Sequence, residues 1–201
     1  MSELWLIRHG QTDWNLEGRY QGQSDIPLNP TGLAQAEAFA ASLDGQHFSA
    51  LYSSDLRRAF QTAEAIARHT GLAVIPEPRL REIHQGQWHG RTLDEVRAIY
   101  NESAQAQRWQ IDPEAARAPG GESVLEVSQR MAAAANAIAR AHPGQRVLVV
   151  SHGLALATLV CQSSGIPLSE VYSHIPDNTQ ASVIEWDFNH GDTESTERNT
   201  F

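Results

Sequence analysis

Two short apolar runs in this sequence each end directly in a histidine followed by a glycine. Residues 4–7 lead into Arg8-His9-Gly10, and residues 147–150 lead into Ser151-His152-Gly153. Short, uninterrupted apolar runs that stop at a polar, glycine-containing segment are typical of buried strands. We therefore predict two strands of one buried sheet, each with a histidine held at its carboxyl end.

Alanine-rich segments with helical spacing lie between the predicted strands. They span residues 31–43, 56–69 and 124–141. Gly71 follows the second segment and Pro143-Gly144 follows the third, and both are residues that end helices. Thr92 and Glu95 have the spacing of a capping box, which predicts another helix towards residue 100.

Strands and helices alternate along the chain. Further strands are predicted at residues 50–52 and 181–186. Alternation of this kind favours an α/β fold, here a three-layer α/β/α sandwich with a mostly parallel central sheet. Because no repeat or linker divides the chain, we predict one domain over residues 1–188, with an insertion at about 91–121 and a flexible tail over 189–201.

Composition and charge exclude several classes of protein. The 201 residues are 41% hydrophobic, which is enough for a sizeable core, and 15 basic against 24 acidic residues give a net charge of −9. This acidic balance argues against a nucleic-acid partner, and Cys161, the single cysteine, cannot form an internal disulfide. No apolar segment approaches the roughly 18 residues that span a bilayer, so we predict a soluble, cytoplasmic protein with no membrane partner.

The polar residues at the predicted strand ends suit an anionic ligand. In open α/β sheets, ligands bind at the carboxyl ends of the strands, where His9 and His152 would lie. Arg57 and Arg58 begin a predicted helix, where a cation opposes the helix dipole unless it faces an anion. Neighbouring helical residues point about 100° apart, so only one of the two can face the site. We expect Arg58 to face the ligand and Arg57 to be solvated.

Six segments of the sequence form an ordered set of motifs. They are residues 8–15, 19–22 with 25–28, 53–59 with 61–63, 80–83 with 86–90, 119–123 and 151–153. The first matches the pattern RHG-x-T-x-x-N, and the whole set resembles the histidine phosphatase superfamily, which includes the cofactor-dependent phosphoglycerate mutases. A single Arg-His-Gly would be weak evidence, but six motifs in the family's order are specific. The resemblance implies a phosphoglycerate mutase-like fold and phosphoryl-transfer chemistry.

The resemblance also implies roles for five catalytic residues. His9 would be the nucleophile that attacks phosphorus and becomes transiently phosphorylated, replacing one hard displacement by two easier steps. Arg8, Arg58 and His152 would surround the phosphoryl oxygens and stabilise the charge on them. Glu82 would be the general acid that protonates the leaving oxygen and then takes a proton from the attacking water.

Four further residues would contact phosphate or substrate by the same resemblance. They are Asn15, Gln21, Gly22 and Gly153. The resemblance implies no metal site and no cofactor, because arginines would supply the charge neutralisation that magnesium gives other phosphoryl-transfer enzymes. The expected partner is a small phosphorylated metabolite, and nothing in the sequence marks an oligomer interface.

Several positions depart from the family pattern or stay open. Gln11 replaces an acidic residue common after the Arg-His-Gly motif, and His89 stands where glutamate is common. From the residues alone, Arg81 and Glu82 are typical of a surface ion pair. His84 could line the substrate pocket or merely belong to a loop. The tryptophans that could wall the leaving-group site, or simply pack, are Trp14, Trp88 and Trp109.

The family resemblance leaves two reactions open, hydrolysis and mutase chemistry. A mutase must hold both the phosphate and the carboxylate of its substrate, and similar mutases carry a longer, basic insertion after the general acid. Here that insertion spans only residues 91–121 and contains no adjacent Arg-Arg pair. The sequence therefore favours a phosphomonoesterase, with a cofactor-dependent phosphoglycerate mutase as the alternative.

The sequence does not select one substrate, but it disfavours two other classes of protein. Phosphoserine, 3-phosphoglycerate, sugar phosphates and α-ribazole phosphate are all acted on by similar short members of the family. A binding module that keeps the fold without the chemistry is disfavoured because His9, Glu82 and His152 are all present. A nucleotide-binding protein is disfavoured because the first strand is followed by no glycine-rich phosphate loop.

Overall fold

A five-stranded sheet forms the centre of the protein in the computed structural model, which describes residues 1–99 and 114–187. Its strands are β1 Ser2–Arg8, β2 Ala50–Ser53, β3 Val74–Pro76, β4 Arg146–Ser151 and β5 Ala181–Trp186. The order across the sheet is β3-β2-β4-β1-β5. The strands from β3 to β1 run parallel, and β5 pairs antiparallel with β1 at one edge.

Helices connect the strands and cover the sheet. They are α1 Asp13–Leu16, α2 Pro30–Ala41, α3 Arg57–Thr70, α4 Leu93–Ile99, α5 Val124–Ala141 and α6 Gly153–Ser164, with short 3₁₀ helices at Pro78–Leu80, Gly86–Trp88 and Leu168–His174. Thr92 and Glu95 form the predicted capping box. The Thr92 backbone N–H donates to the Glu95 carboxylate at 2.8 Å, and the Glu95 backbone N–H donates to the Thr92 hydroxyl at 3.2 Å. Gly71 ends α3 in the left-handed conformation that favours glycine.

The strands bury a different set of side chains on each face of the sheet. Along β4, Val147 and Val149 pack with α5 and α6, whereas Leu148 and Val150 pack with α2 and α3. All four side chains are buried, each contributing about 1.5–3 kcal/mol relative to exposure. A sheet with a helical layer on each face confirms the predicted α/β/α sandwich.

Helix α6 and strand β3 are among the elements that were not predicted from the sequence. Helix α6 is buried along most of its length, so its residues are apolar on every side and carry no helical periodicity. Strand β3 is a three-residue edge strand that ends in Pro76, too short to give an alternating pattern. Residues 100–113 of the predicted insertion, which include Trp109, lie outside the described residues, as does the predicted tail over 189–201.

No helix within residues 1–99 and 114–187 is both long and apolar enough to cross a membrane.

Candidate active site

The parallel pairing of β1 with β4 brings the two predicted strand-end histidines together. Arg8 is the register partner of Ser151, so the next residues, His9 and His152, leave the sheet side by side. Their ring centroids lie 5.2 Å apart, and both side chains are buried. The His9 backbone N–H donates to the Ser151 carbonyl at 3.0 Å and extends the ladder past the strand end. A rigid sheet edge therefore sets the position of both imidazoles.

The hydrogen bonds of His9 fix which of its ring nitrogens carries the proton. Nδ1 lies 2.7 Å from the carbonyl oxygen of Gly10, which can only accept, so Nδ1 carries the hydrogen. The lone pair on Nε2 then accepts from Nε of Arg58 at 3.1 Å. Burial lowers the pKa of His9 well below its ordinary value, and the charges of Arg58 and Arg8 lower it further. The ring is therefore neutral, with an unprotonated Nε2 facing the arginine.

Arg58 is completely buried beside His9, whereas its neighbour Arg57 is exposed, as expected from helix geometry. Its two terminal nitrogens donate to the carbonyls of Gly22 at 2.7 Å and Ser24 at 2.8 Å. Burial lowers the pKa of Arg58 to about 10, so the guanidinium stays charged at neutral pH. This cation lies among carbonyls and an imidazole, with no carboxylate of the described residues in hydrogen-bond contact.

Several buried polar atoms around His9 have no hydrogen-bond partner in the described part of the chain. They are Nε of Arg8, Nδ1 of His152 and Oε1 of Gln21. Arg8 and His152 each have a second nitrogen with a partner, since Nη1 of Arg8 donates to Pro176 O at 2.7 Å and Nε2 of His152 lies 2.8 Å from Ser54 Oγ. An unsatisfied buried polar atom costs about 1–3 kcal/mol, so these atoms indicate a site for a polar ligand.

Glu82 reaches the same site from an irregular segment of the chain. Its carboxylate accepts the backbone N–H groups of Leu154 at 3.2 Å and Ala155 at 3.1 Å, in the first turn of α6. Arg81 does not pair with it, because the Arg81 side chain makes two hydrogen bonds to Asp55, at 2.7 and 2.5 Å. Interpretation of Arg81 and Glu82 as a surface ion pair, from the residues alone, was therefore wrong.

All nine residues named from the family resemblance lie in or beside one cavity of about 710 Å³. Those that line it are Arg8, His9, Asn15, Gln21, Gly22, Arg58, Glu82 and Gly153, while His152 packs behind His9. Oδ1 of Asn15 accepts from both Thr12 N and Thr12 Oγ1 at 3.0 Å, as part of the capping box that begins α1. A Cβ on Gly153 would lie 2.9 Å from Ile175 and 3.4 Å from the Arg8 guanidinium.

The outer part of the cavity has apolar walls and basic residues. The walls include Tyr20, Ile83, Trp88, Leu93, Val96, Tyr172 and Ile175, and the arginines are Arg19, Arg97 and Arg117. Trp88 therefore lines the cavity, which was one of the two alternatives that the sequence left open for the tryptophans. Trp14 is not among the lining residues and instead packs over Gly90, at 3.1 Å from the position of a Cβ there.

The contacts of His89 explain how a histidine can stand where glutamate is common in the family. Its Nε2 accepts the backbone N–H groups of Gln23 at 3.1 Å and Gln85 at 3.2 Å, so the neutral imidazole acts as the acceptor that a glutamate would otherwise supply. Burial lowers the pKa of His89, which favours this form. His84 is not a lining residue; its ring packs against His89 with centroids 4.7 Å apart, and it belongs to the loop.

The glycine of the first motif has a role that the sequence did not predict. A Cβ on Gly10 would lie 2.5 Å from the Gly32 carbonyl oxygen. Gly10 is therefore required for close packing of the loop after β1 against the first turn of α2. The motifs also predict no role for Ser54, which contacts His152, or for Arg130, which contacts the backbone of Glu82.

Burial of neutral histidines predicts a loss of stability in mild acid. Folding lowers the pKa values of His9, His89 and His152 below their ordinary value of 6.5. Between that value and the lower folded-state values, the unfolded chain binds more protons, so the free energy of unfolding falls as the pH falls below about 6.5. Each histidine contributes at most about 1.4 kcal/mol per pH unit.

Urea unfolding between about pH 5 and pH 8 measures this dependence. We expect a plateau near neutral pH and a decline on the acid side. An unfolding free energy that is constant from about pH 7 to pH 5 would contradict the neutral, buried state of these rings.

The chain is similar to known proteins over most of its length. The family model of the histidine phosphatase superfamily (branch 1) matches residues 4–199. The chain is 38% identical over 184 residues to phosphoserine phosphatase 1 of Hydrogenobacter thermophilus, covering 92% of this chain and 86% of that protein. It is 39% identical over 168 residues to a probable phosphoglycerate mutase of Yersinia pestis, covering 83% and 77%.

A solved structure has the same fold. Mycobacterial glucosyl-3-phosphoglycerate phosphatase, in complex with VO₃, superposes with a TM-score of 0.81 at 32% identity and covers 90% of this chain and 91% of that chain. The family model covers almost the whole chain, and both relatives are more than 30% identical over most of it. The chain belongs to the histidine phosphatase superfamily (branch 1).

Proposed function

We propose that this enzyme hydrolyses phosphate monoesters of small metabolites through a phosphohistidine formed on Nε2 of His9. The observation that carries the proposal is the state of His9, a neutral ring whose unprotonated Nε2 faces the buried Arg58 guanidinium. A nucleophilic histidine needs this lone pair, and a phosphoryl group needs the cation beside it.

In the first step, Nε2 of His9 attacks phosphorus and the ester P–O bond breaks. Glu82 donates its proton to the departing oxygen, which leaves as an alcohol. In the second step, water attacks the phosphohistidine and gives a proton back to Glu82, the N–P bond breaks, and inorganic phosphate is released. Both steps pass through a similar transition state, so one set of donors serves both.

The donors for the phosphoryl oxygens are the groups left unpaired around His9. Nε of Arg8 is a charged donor, and the Ser54 hydroxyl can donate to Nε2 of His152, which puts the ring hydrogen of His152 on Nδ1, facing no protein acceptor of the described residues. Arg58 can turn its Nε–H from His9 to the transferred group. Charge-assisted hydrogen bonds from these groups are stronger than neutral ones and replace the role of a metal ion.

The relatives support hydrolysis more than mutase chemistry, and both reactions stay candidates. Among them, a phosphoserine phosphatase covers more of this chain than the probable phosphoglycerate mutase does, and the solved structure is of a glucosyl-3-phosphoglycerate phosphatase. We therefore propose a phosphatase, and the mutase, favoured by the 39% identity to that relative, stays the second candidate.

Phosphate release from a panel of phosphomonoesters tests the proposal. The panel contains phosphoserine, 3-phosphoglycerate, a sugar phosphate and 4-nitrophenyl phosphate, with and without 2,3-bisphosphoglycerate, in the presence of EDTA. We expect release of inorganic phosphate from at least one alkyl phosphate and no loss of rate in EDTA. Interconversion of 2- and 3-phosphoglycerate without release would establish a mutase, and metal-dependent recovery after chelation would reject the arginine-based mechanism.

A further inference from the structure

Arg130, in the first half of α5, uses every donor of its guanidinium inside the protein. Its Nε and Nη2 each donate one hydrogen bond of 2.9 Å to the carboxylate of Glu122, so the pair is bidentate. The other three hydrogen bonds go to carbonyls of one segment, those of Arg79 at 2.9 Å, Arg81 at 2.5 Å and Glu82 at 2.9 Å. A guanidinium has five N–H groups, and these five bonds occupy all of them.

Glu122 holds the next part of the same segment. Its carboxylate accepts the His84 backbone N–H at 2.8 Å, and its own backbone N–H donates to the His84 carbonyl at 2.9 Å. Both side chains of the pair are largely shielded, with 18% of the Arg130 side chain and 25% of the Glu122 side chain exposed. The pair therefore clamps residues 79–84 from one side.

The part of this segment around Glu82 belongs to no helix or strand. Residues 79 and 80 end the short 3₁₀ helix Pro78–Leu80, the next 3₁₀ helix is Gly86–Trp88, and Glu82 lies between the two. His9 and His152, in contrast, follow strands of the sheet, and Arg58 lies in a helix of 14 residues. The backbone of Glu82 thus depends on side-chain donors for the fixed position that secondary structure gives the other site residues.

We infer that Arg130 is a positioning residue for Glu82. By holding the carbonyls of Arg79, Arg81 and Glu82, Arg130 aims the Glu82 carboxylate at the first turn of α6, beside the ester oxygen of a bound substrate. Arg130 does not line the cavity. The inference rests on the proposed role of Glu82 as the general acid.

A positioning role has a signature that a purely structural role lacks. An alkyl ester leaves only with a proton on its oxygen, whereas 4-nitrophenolate is a good leaving group and depends little on general acid catalysis. If Arg130 acts through Glu82, its loss slows the alkyl phosphate and largely spares 4-nitrophenyl phosphate. If Arg130 only stabilises the fold, both substrates lose rate together.

The test compares kcat/KM for phosphoserine, or another alkyl phosphate that the enzyme accepts, with kcat/KM for 4-nitrophenyl phosphate. The variants are Glu82→Gln, Arg130→Lys and the double variant. Lysine keeps the charge but concentrates its donors on one nitrogen, so it cannot span three carbonyls and a carboxylate. Arg140→Lys, at an exposed position of the same helix, is the matched control and should leave both rates unchanged.

We expect Glu82→Gln to lower the alkyl rate by about 10²–10⁴-fold, the usual range for general acid catalysis. Arg130→Lys should lower the same rate by about 10²-fold, the cost of a small misplacement of a catalytic group, and should spare the nitrophenyl substrate. In the double variant, the alkyl rate should equal that of Glu82→Gln alone, because the two residues act through one proton transfer.

Three results would overturn the inference or its basis, and they are distinguishable. Equal losses on both substrates in Arg130→Lys, or additive losses in the double variant, would overturn the positioning role while a selective loss in Glu82→Gln keeps the proposed function. A nonselective loss in Glu82→Gln would overturn the general acid and the inference with it. If Arg130→Lys does not fold, Glu122→Gln, which weakens the charged pair but keeps an acceptor for His84, should show the same selectivity.

Discussion

Replacement of His9 by alanine is expected to abolish turnover, lowering kcat by at least about 10⁴-fold for every phosphomonoester. Alanine removes the atom that forms the covalent bond to phosphorus, so no leaving group can compensate for its loss. The alkyl and nitrophenyl substrates should therefore lose rate together, in contrast to the selective loss expected for Glu82→Gln. Steady-state phosphate release measures this, with His69→Ala as the control because His69 pairs with Asp44 away from the cavity.

Trapping of the intermediate gives the second half of this prediction. Rapid acid-free quenching of the enzyme with radiolabelled substrate should leave one labelled phosphoryl group on the wild-type chain, at His9, and none on His9→Ala. The label should be lost in acid and kept in base, as phosphoramidates are. Appreciable residual activity in His9→Ala, or label at another residue, would reject His9 as the nucleophile.

Replacement of Arg58 by alanine is expected to have the second largest effect, a loss of about 10³–10⁵-fold in kcat, which is the range for a cation that contacts a transferred phosphoryl group. Arg58 is completely buried, donates to Nε2 of His9 and has no carboxylate partner among the described residues. Its charge is therefore available to the phosphoryl oxygens, where it is little screened by water.

The same variant should lose the stabilisation that inorganic phosphate gives the folded enzyme. A ligand at 100 times its Kd stabilises the native state by about 2.7 kcal/mol, which a thermal shift experiment resolves easily. We expect phosphate to raise the Tm of the wild type and of Arg57→Ala, whose side chain is exposed, but not of Arg58→Ala. Equal shifts in all three proteins would show that Arg58 does not bind the phosphoryl group.

Local patterns were sufficient to predict most of the scaffold. The apolar runs that became β1, β2, β4 and β5 and the alanine-rich segments that became α2, α3 and α5 could be predicted because each has a periodicity or an end signal of its own. Helix α6 could not be predicted in the same way, because burial along most of its length removes the contrast between its faces.

Some residues of the candidate site could likewise be predicted from local patterns, and others could not. His9 and His152 could be predicted from the residues, since a histidine directly after a buried strand must lie at the sheet edge. Glu82 could not, because a carboxylate beside an arginine in an irregular segment has no local feature that separates it from a surface ion pair. Only the resemblance to the family singled it out, and the contacts with α6 explain why the pair interpretation fails.

The sequence by itself determined the strand ends, the helices that follow them and the residue types at the cavity floor, because those features depend on neighbours within a few positions. Tertiary structure alone decided the charge state and orientation of these groups. The neutral ring of His9 depends on its burial and on Arg58, 49 positions away, and the Glu82 carbonyl accepts a hydrogen bond from Arg130, 48 positions away. Burial and hydrogen bonds between distant segments set protonation and direction, and no local pattern encodes them.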